Sequence, residues 1–81
     1  MNKHLAYQLA QKAVSDLKTA IYILLSGPNS DGLTNAEIGR SLGIYQGHIG
    51  HEGHIPRTLL ALMELEGVVE QNADTKKWKL K

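Results

Sequence analysis

Glycine recurs at every third position from Gly47 to Gly53, and each is followed by histidine: Gly47-His48-Ile49, Gly50-His51-Glu52 and Gly53-His54-Ile55. A helix or strand through this stretch would be weak, because each glycine lacks a packing side chain and costs roughly 0.5–1 kcal/mol relative to alanine. The spacing predicts a shaped loop. It divides the chain, so regular elements must form on either side of it. Three of the four histidines fall in these nine residues, a clustering that core packing does not produce.

An 81-residue chain has room for one domain with a small core. We read residues 1–81 as a single unit, with 1–14 as an N-terminal helical extension and 15–81 as the core. Apolar residues make up 42% and charged residues 21%, a globular rather than a disordered balance. The chain has no cysteine, which excludes disulfides and thiolate metal ligands. No apolar run approaches the roughly 18–20 residues of a membrane span. Met1-Asn2-Lys3-His4 does not lead into a secretory apolar block. The expectation is a soluble, cytoplasmic, unprocessed protein with no membrane partner.

The net charge of +1 hides an uneven distribution. Lys3, Lys12 and Lys18 nearly balance Asp16 and Asp31. Between Thr34 and Thr75, Arg40 and Arg57 stand against Glu37, Glu52, Glu64, Glu66, Glu70 and Asp74. The closing Lys76-Lys77-Trp78-Lys79-Leu80-Lys81 is strongly basic. Positive charge is therefore concentrated at the C-terminal end, where it would meet a polyanion.

Leu5, Leu9, Ala13, Leu17, Ala20, Ile21 and Leu24 recur at three- and four-residue steps, so an amphipathic helix is expected over Leu5 to Leu25. Ser15-Asp16 could cap a second helix and divide it. Ser26-Gly27-Pro28 stops it, and Asn29-Ser30-Asp31-Gly32 forms a turn. Thr34-Asn35-Ala36-Glu37 has the form of a capping box opening a short helix from Asn35 to Leu42, with Ile38 and Leu42 facing the core. There Gly39 permits close approach, Gly43 ends the element and Ile44 plugs it. Pro56 suits the first turn of a third helix ending at Glu66 and Gly67. Val68 to Gln71 and Lys76 to Leu80 are two short strands, joined by Asn72-Ala73-Asp74-Thr75. Trp78 and Leu80 share one face, and Lys77, Lys79 and Lys81 share the other.

The fold class is thus mainly α with a small β-hairpin (α+β). Leu33-Thr34-Asn35-Ala36-Glu37-Ile38-Gly39-Arg40-Ser41-Leu42-Gly43-Ile44 resembles the first helix and turn of a winged helix-turn-helix domain. Leu62-Met63-Glu64-Leu65-Glu66-Gly67-Val68-Val69-Glu70 resembles the end of a recognition helix running into the wing. The resemblance covers about Ser15 to Leu80. It implies a winged helix-turn-helix with an added N-terminal helix and, because Tyr45 to Ile55 intervene before the third helix, an enlarged turn. It also implies sequence-directed binding of double-stranded DNA, with the third helix in the major groove and the wing on the backbone.

That resemblance implies a groove-facing set of His54, Arg57, Thr58 and Ala61, where arginine can donate two bonds to guanine and threonine can meet the thymine methyl. Lys76, Lys77 and Lys79 would contact phosphates, although lysines on an exposed strand also simply blunt an edge. For His48, His51 and His54 three readings stand together. Glycine amides and imidazoles can cradle phosphate. The three imidazoles, with Glu52 nearby, can hold zinc, though the chain offers no recognisable fourth ligand. Or they bond local carbonyls and pack on Tyr45. On the phosphate reading mild acidification adds positive charge to the loop and tightens binding, because free imidazole titrates near neutrality.

No nucleophile is paired with a base and no phosphate loop or zincin helix motif is present, so the expectation is a protein that is not an enzyme. Leu59, Leu60, Leu62, Met63 and Leu65 cover more of the third helix than one buried face needs. Either the N-terminal helix folds back over it through Leu5 and Leu9, or that helix pairs with its counterpart in a homodimer, at least partly through residues 3–14. Two functional classes follow. One is a DNA-binding transcriptional regulator or targeting module of a DNA-acting assembly. The other is a winged-helix protein–protein interaction module without DNA binding.

Overall fold

Asn2 opens the first helix, its side-chain Oδ1 accepting the Leu5 amide at 3.0 Å. The computed structural model describes residues 2–28, 31–47, 50 and 52–81. Asn29 and Ser30 of the expected turn, and His48, Ile49 and His51 of the triplets, lie outside the described residues. Three helices and two strands follow in order: α1 (Lys3–Leu25), α2 (Asn35–Ser41), α3 (His54–Leu65), β1 (Val69–Gln71) and β2 (Trp78–Leu80). The fold is mainly helical with a small antiparallel hairpin.

α1 is one uninterrupted helix, so Ser15-Asp16 does not cap a second one. Helical bonding carries through this point. Asp16 is paired one turn back with Lys12 at 2.7 Å, and the Ser15 carbonyl accepts the Thr19 hydroxyl at 3.0 Å. Ser26 closes the helix, its amide and hydroxyl both donating to the Tyr22 carbonyl, at 2.9 and 2.7 Å.

The capping box at α2 is complete. Thr34 Oγ1 accepts the Glu37 amide at 3.2 Å, and Glu37 Oε1 accepts the Thr34 amide at 2.8 Å. These bonds hold the Glu37 carboxyl below its ordinary pKa: the Thr34 amide contributes most, its hydroxyl adds to it, and the charge of Lys77 acts in the same direction. The helix ends at Ser41 rather than Leu42, and the Ile44 amide reaches back to the Gly39 carbonyl at 2.8 Å. α3 begins at His54, two residues before Pro56, and ends at Leu65.

The hairpin pairs Val69 with Leu80, Glu70 with Lys79 and Gln71 with Trp78. β2 is shorter than the Lys76 to Leu80 alternation implied. Lys76 takes a left-handed conformation (φ 63°), and the Asn72 amide donates to the Lys77 carbonyl at 2.9 Å, so both lysines belong to the connection. Asn72 Oδ1 shapes that connection by accepting the amides of Asp74 and Thr75. β2 also gains a second neighbour: Leu33 and Trp78 exchange backbone bonds in an antiparallel bridge. This bridge fixes the start of α2 against the hairpin.

Every element contributes to one core: Ile21 and Leu25 from α1, Ile38 from α2, Leu59, Leu60 and Met63 from α3, Val69 from β1 and Trp78 from β2. Burying each aliphatic side chain contributes roughly 1.5–3 kcal/mol. α1 enters this core only from Val14 onward, since residues 3–13 are all exposed. Leu5 and Leu9 are 50% and 60% exposed, so they do not fold back over α3. Leu62 and Leu65, the excess apolar residues of α3, remain exposed as well. No helix among the described residues is long and apolar enough to cross a membrane.

Candidate nucleic-acid interface

The amino-terminal end of α3 is held against α2 by close backbone approach. A Cβ on Gly39 would come within 2.8 Å of Tyr45 Cβ and 3.1 Å of Pro56 Cγ, so glycine at this position lets α2 and the buried Pro56 meet. Gly53, just before α3, is equally constrained. Its φ is 81°, a Cβ there would lie 2.7 Å from both Asn35 Nδ2 and Tyr45 Cε1, and its carbonyl accepts the Asn35 side chain at 3.2 Å. Tyr45 therefore sits between the end of α2 and the start of α3. Arg40 lies over its ring at 4.8 Å from the centroid.

These contacts form a neck. Both ends of the loop between α2 and α3 are pinned together by Asn35, Tyr45 and Gly53, so α3 stays packed on α2. The glycines of the triplets then have a backbone explanation: Gly47, Gly50 and Gly53 all carry positive φ, at 152°, 83° and 81°. Side-chain-bearing residues rarely adopt these conformations. Glu52 turns inward within the loop, its Oε2 accepting the Gly50 amide at 3.1 Å.

His54 lies inside α3, at its first position, rather than in the loop. It is exposed together with Arg57, Thr58 and Ala61. Positions 54, 57, 58 and 61 follow the three- and four-residue steps of one helix face, so the four residues share a surface. His54 and Thr58 also border an open apolar groove of about 300 Å³ completed by Val14, Leu17, Ile55 and Leu59. His48 and His51 lie outside the described residues. Among the described residues no group of three or more His, Asp or Glu side chains is arranged to hold a metal ion.

The lysines at the hairpin do not act as one set. Lys76 is exposed in the connection. Lys77 is half-buried and lowers the Glu37 pKa through its charge. Lys79 is exposed but 3.9 Å from Glu70 across the hairpin. Lys77 and Lys79 also border a polar recess of about 220 Å³ with Asp31, Asn72 and Thr75. Sequence reasoning did not foresee Asn35 and Tyr45 as the neck. The available signal was the placement of Tyr45 directly after the helix stop at Gly43-Ile44, with glycines at 39 and 53 leaving room for its ring. No family model, curated protein or solved structure matches this chain.

Proposed function

We propose that the chain is a winged helix-turn-helix module that binds double-stranded DNA as two copies, without catalytic activity, and serves as a small regulator or as the targeting part of a DNA-acting assembly. The observation that carries this reading is the exposed set His54, Arg57, Thr58 and Ala61 on the first two turns of a helix packed across Gly39 of α2. A helix presented in this way can enter a major groove. Arg57 would read a base edge, with discrimination of about 1–3 kcal/mol if it binds guanine bidentately. Lys76 is the hairpin lysine best placed to meet phosphate, since Lys77 and Lys79 have carboxylates nearby.

Those same carboxylates favour the second reading, a protein-binding module in which the hairpin stabilises the fold. Salt separates the two. Neutralising several phosphates releases counterions, so a DNA binder loses about tenfold or more in affinity between roughly 50 and 200 mM salt. Micromolar protein and mixed-sequence duplex at low salt provide the test, with and without zinc added. A steep salt dependence supports the DNA reading, and the absence of any complex at low salt overturns it.

A further inference from the structure

The side of α1 turned away from the core carries a pattern of its own. Leu5, Leu9, Lys12, Asp16, Thr19 and Ile23 succeed one another at alternating spacings of four and three residues, the repeat that keeps side chains along a single helical seam. All six are exposed. Leu5, Leu9 and Ile23 are open to 50%, 60% and 66%, and the Lys12 and Asp16 side chains to 72% and 64%. Ile21 and Leu25, which enter the core, lie roughly half a turn round the helix from this seam.

The seam is self-complementary about Val14. Counting outward from that residue, Lys12 corresponds to Asp16, Leu9 to Thr19 and Leu5 to Ile23. We propose that α1 pairs antiparallel with α1 of a second copy of this chain along this seam, Lys12 of each opposite Asp16 of the other and Leu5 opposite Ile23 at both ends. This rests on the two-copy reading above and assigns its surface and orientation. Charge decides the direction: a parallel pair in register would set Lys12 against Lys12 and Asp16 against Asp16. The antiparallel pair instead lays the Lys12–Asp16 pair of each helix, 2.7 Å apart, head to tail on that of the other and adds two attractive contacts. Covering the seam leaves Arg57 and Thr58 exposed, because α1 approaches α3 through a different side, where Val14 and Leu17 pack against the core.

Sedimentation equilibrium of the full chain without DNA tests the surface, and circular dichroism monitors helix content in each variant. A dimer is expected, with Lys12→Glu and Asp16→Lys each weakening it about tenfold and the double reversal K12E/D16K restoring it to within about threefold. The native chain has no cysteine, so crosslinking gives an independent readout. An oxidised mixture of Leu5→Cys and Ile23→Cys chains should yield mainly the mixed disulfide dimer. A monomer at about 100 µM overturns both the seam and the two-copy reading. A dimer indifferent to both charge reversals, or one crosslinking as Leu5→Cys with itself, overturns the seam alone. DNA binding is measured separately, so its failure does not mimic either result.

Discussion

At the scale of single residues, two glycines of the triplets differ in what surrounds them. Gly50 and Gly53 have nearly the same positive φ, but a Cβ on Gly50 would meet nothing within 4 Å among the described residues, whereas one on Gly53 would collide with Asn35 and Tyr45. Gly50→Ala should therefore cost about 1 kcal/mol for its backbone conformation alone. Gly53→Ala should cost about 2–3 kcal/mol and loosen the start of α3, as read by urea unfolding. Equal losses at the two sites would refute the neck formed by Tyr45. Glu37 gives a pH prediction. Its folded pKa is depressed, so its contribution is present above the ordinary carboxylate value of 4.5 and is lost as the pH falls through the lower folded value. Glu37→Gln should lower the Tm at pH 7 and converge with the native protein in acid. Thr34→Ala, which removes the hydroxyl cap, should cost about 1 kcal/mol.

At the scale of elements, α3 has one buried side and one available side. Leu60 is fully buried among Ile21, Ile38 and Val69, whereas Leu65 is 86% exposed. Leu60→Ala should destabilise by about 2–5 kcal/mol, while Leu65→Ala should stay within about 0.5 kcal/mol. Thermal denaturation of the two variants checks the orientation of the helix. Arg57→Ala, on the exposed side, should leave the Tm nearly unchanged and relax DNA sequence preference, while Lys76→Ala should weaken all sequences alike. A large loss of stability in Arg57→Ala would remove that residue from the proposed interface. The stop of α1 near Ser26, the end of α3 before Gly67 and the capping box were legible in sequence because their signals are local, whereas the start of α3 at His54 was not. The Leu33–Trp78 bridge was not, because its partners are 45 residues apart and a single extended residue leaves no periodic trace.

For the whole molecule, the long dimension of 46 Å reflects α1 extending beyond the core. An isolated helical segment as short as residues 3–13 is only marginally stable in water. Its attachment to the packed half supports it in one chain, and pairing with a second copy would support it further. The loop between α2 and α3 also acts at this scale. If its histidines face phosphate, DNA affinity should rise as the pH is lowered from about 8 to about 6, because protonated imidazole adds positive charge. An unchanged affinity across that interval would leave the triplets with the backbone role their glycines already have.

What the chain reveals by itself is its sequence of local events: the stripe of α1, the stop at Ser26-Gly27-Pro28, the Thr34–Glu37 box, the break at the glycine triplets and the alternation around Trp78. Each depends on neighbours within a few residues, where hydrogen-bond reach and helical period are fixed by backbone geometry. Tertiary structure decided the rest. It placed His54 inside α3, closed the neck through Asn35, Tyr45 and Gly53, set Lys77 beside Glu37, and left the outer seam of α1 uncovered. These outcomes depend on which distant groups fill the same space, and local pattern carries no record of that. The Gly-His repeat shows the division most directly: sequence spacing required a loop, but only packing showed that the loop leaves the two helices it joins in contact.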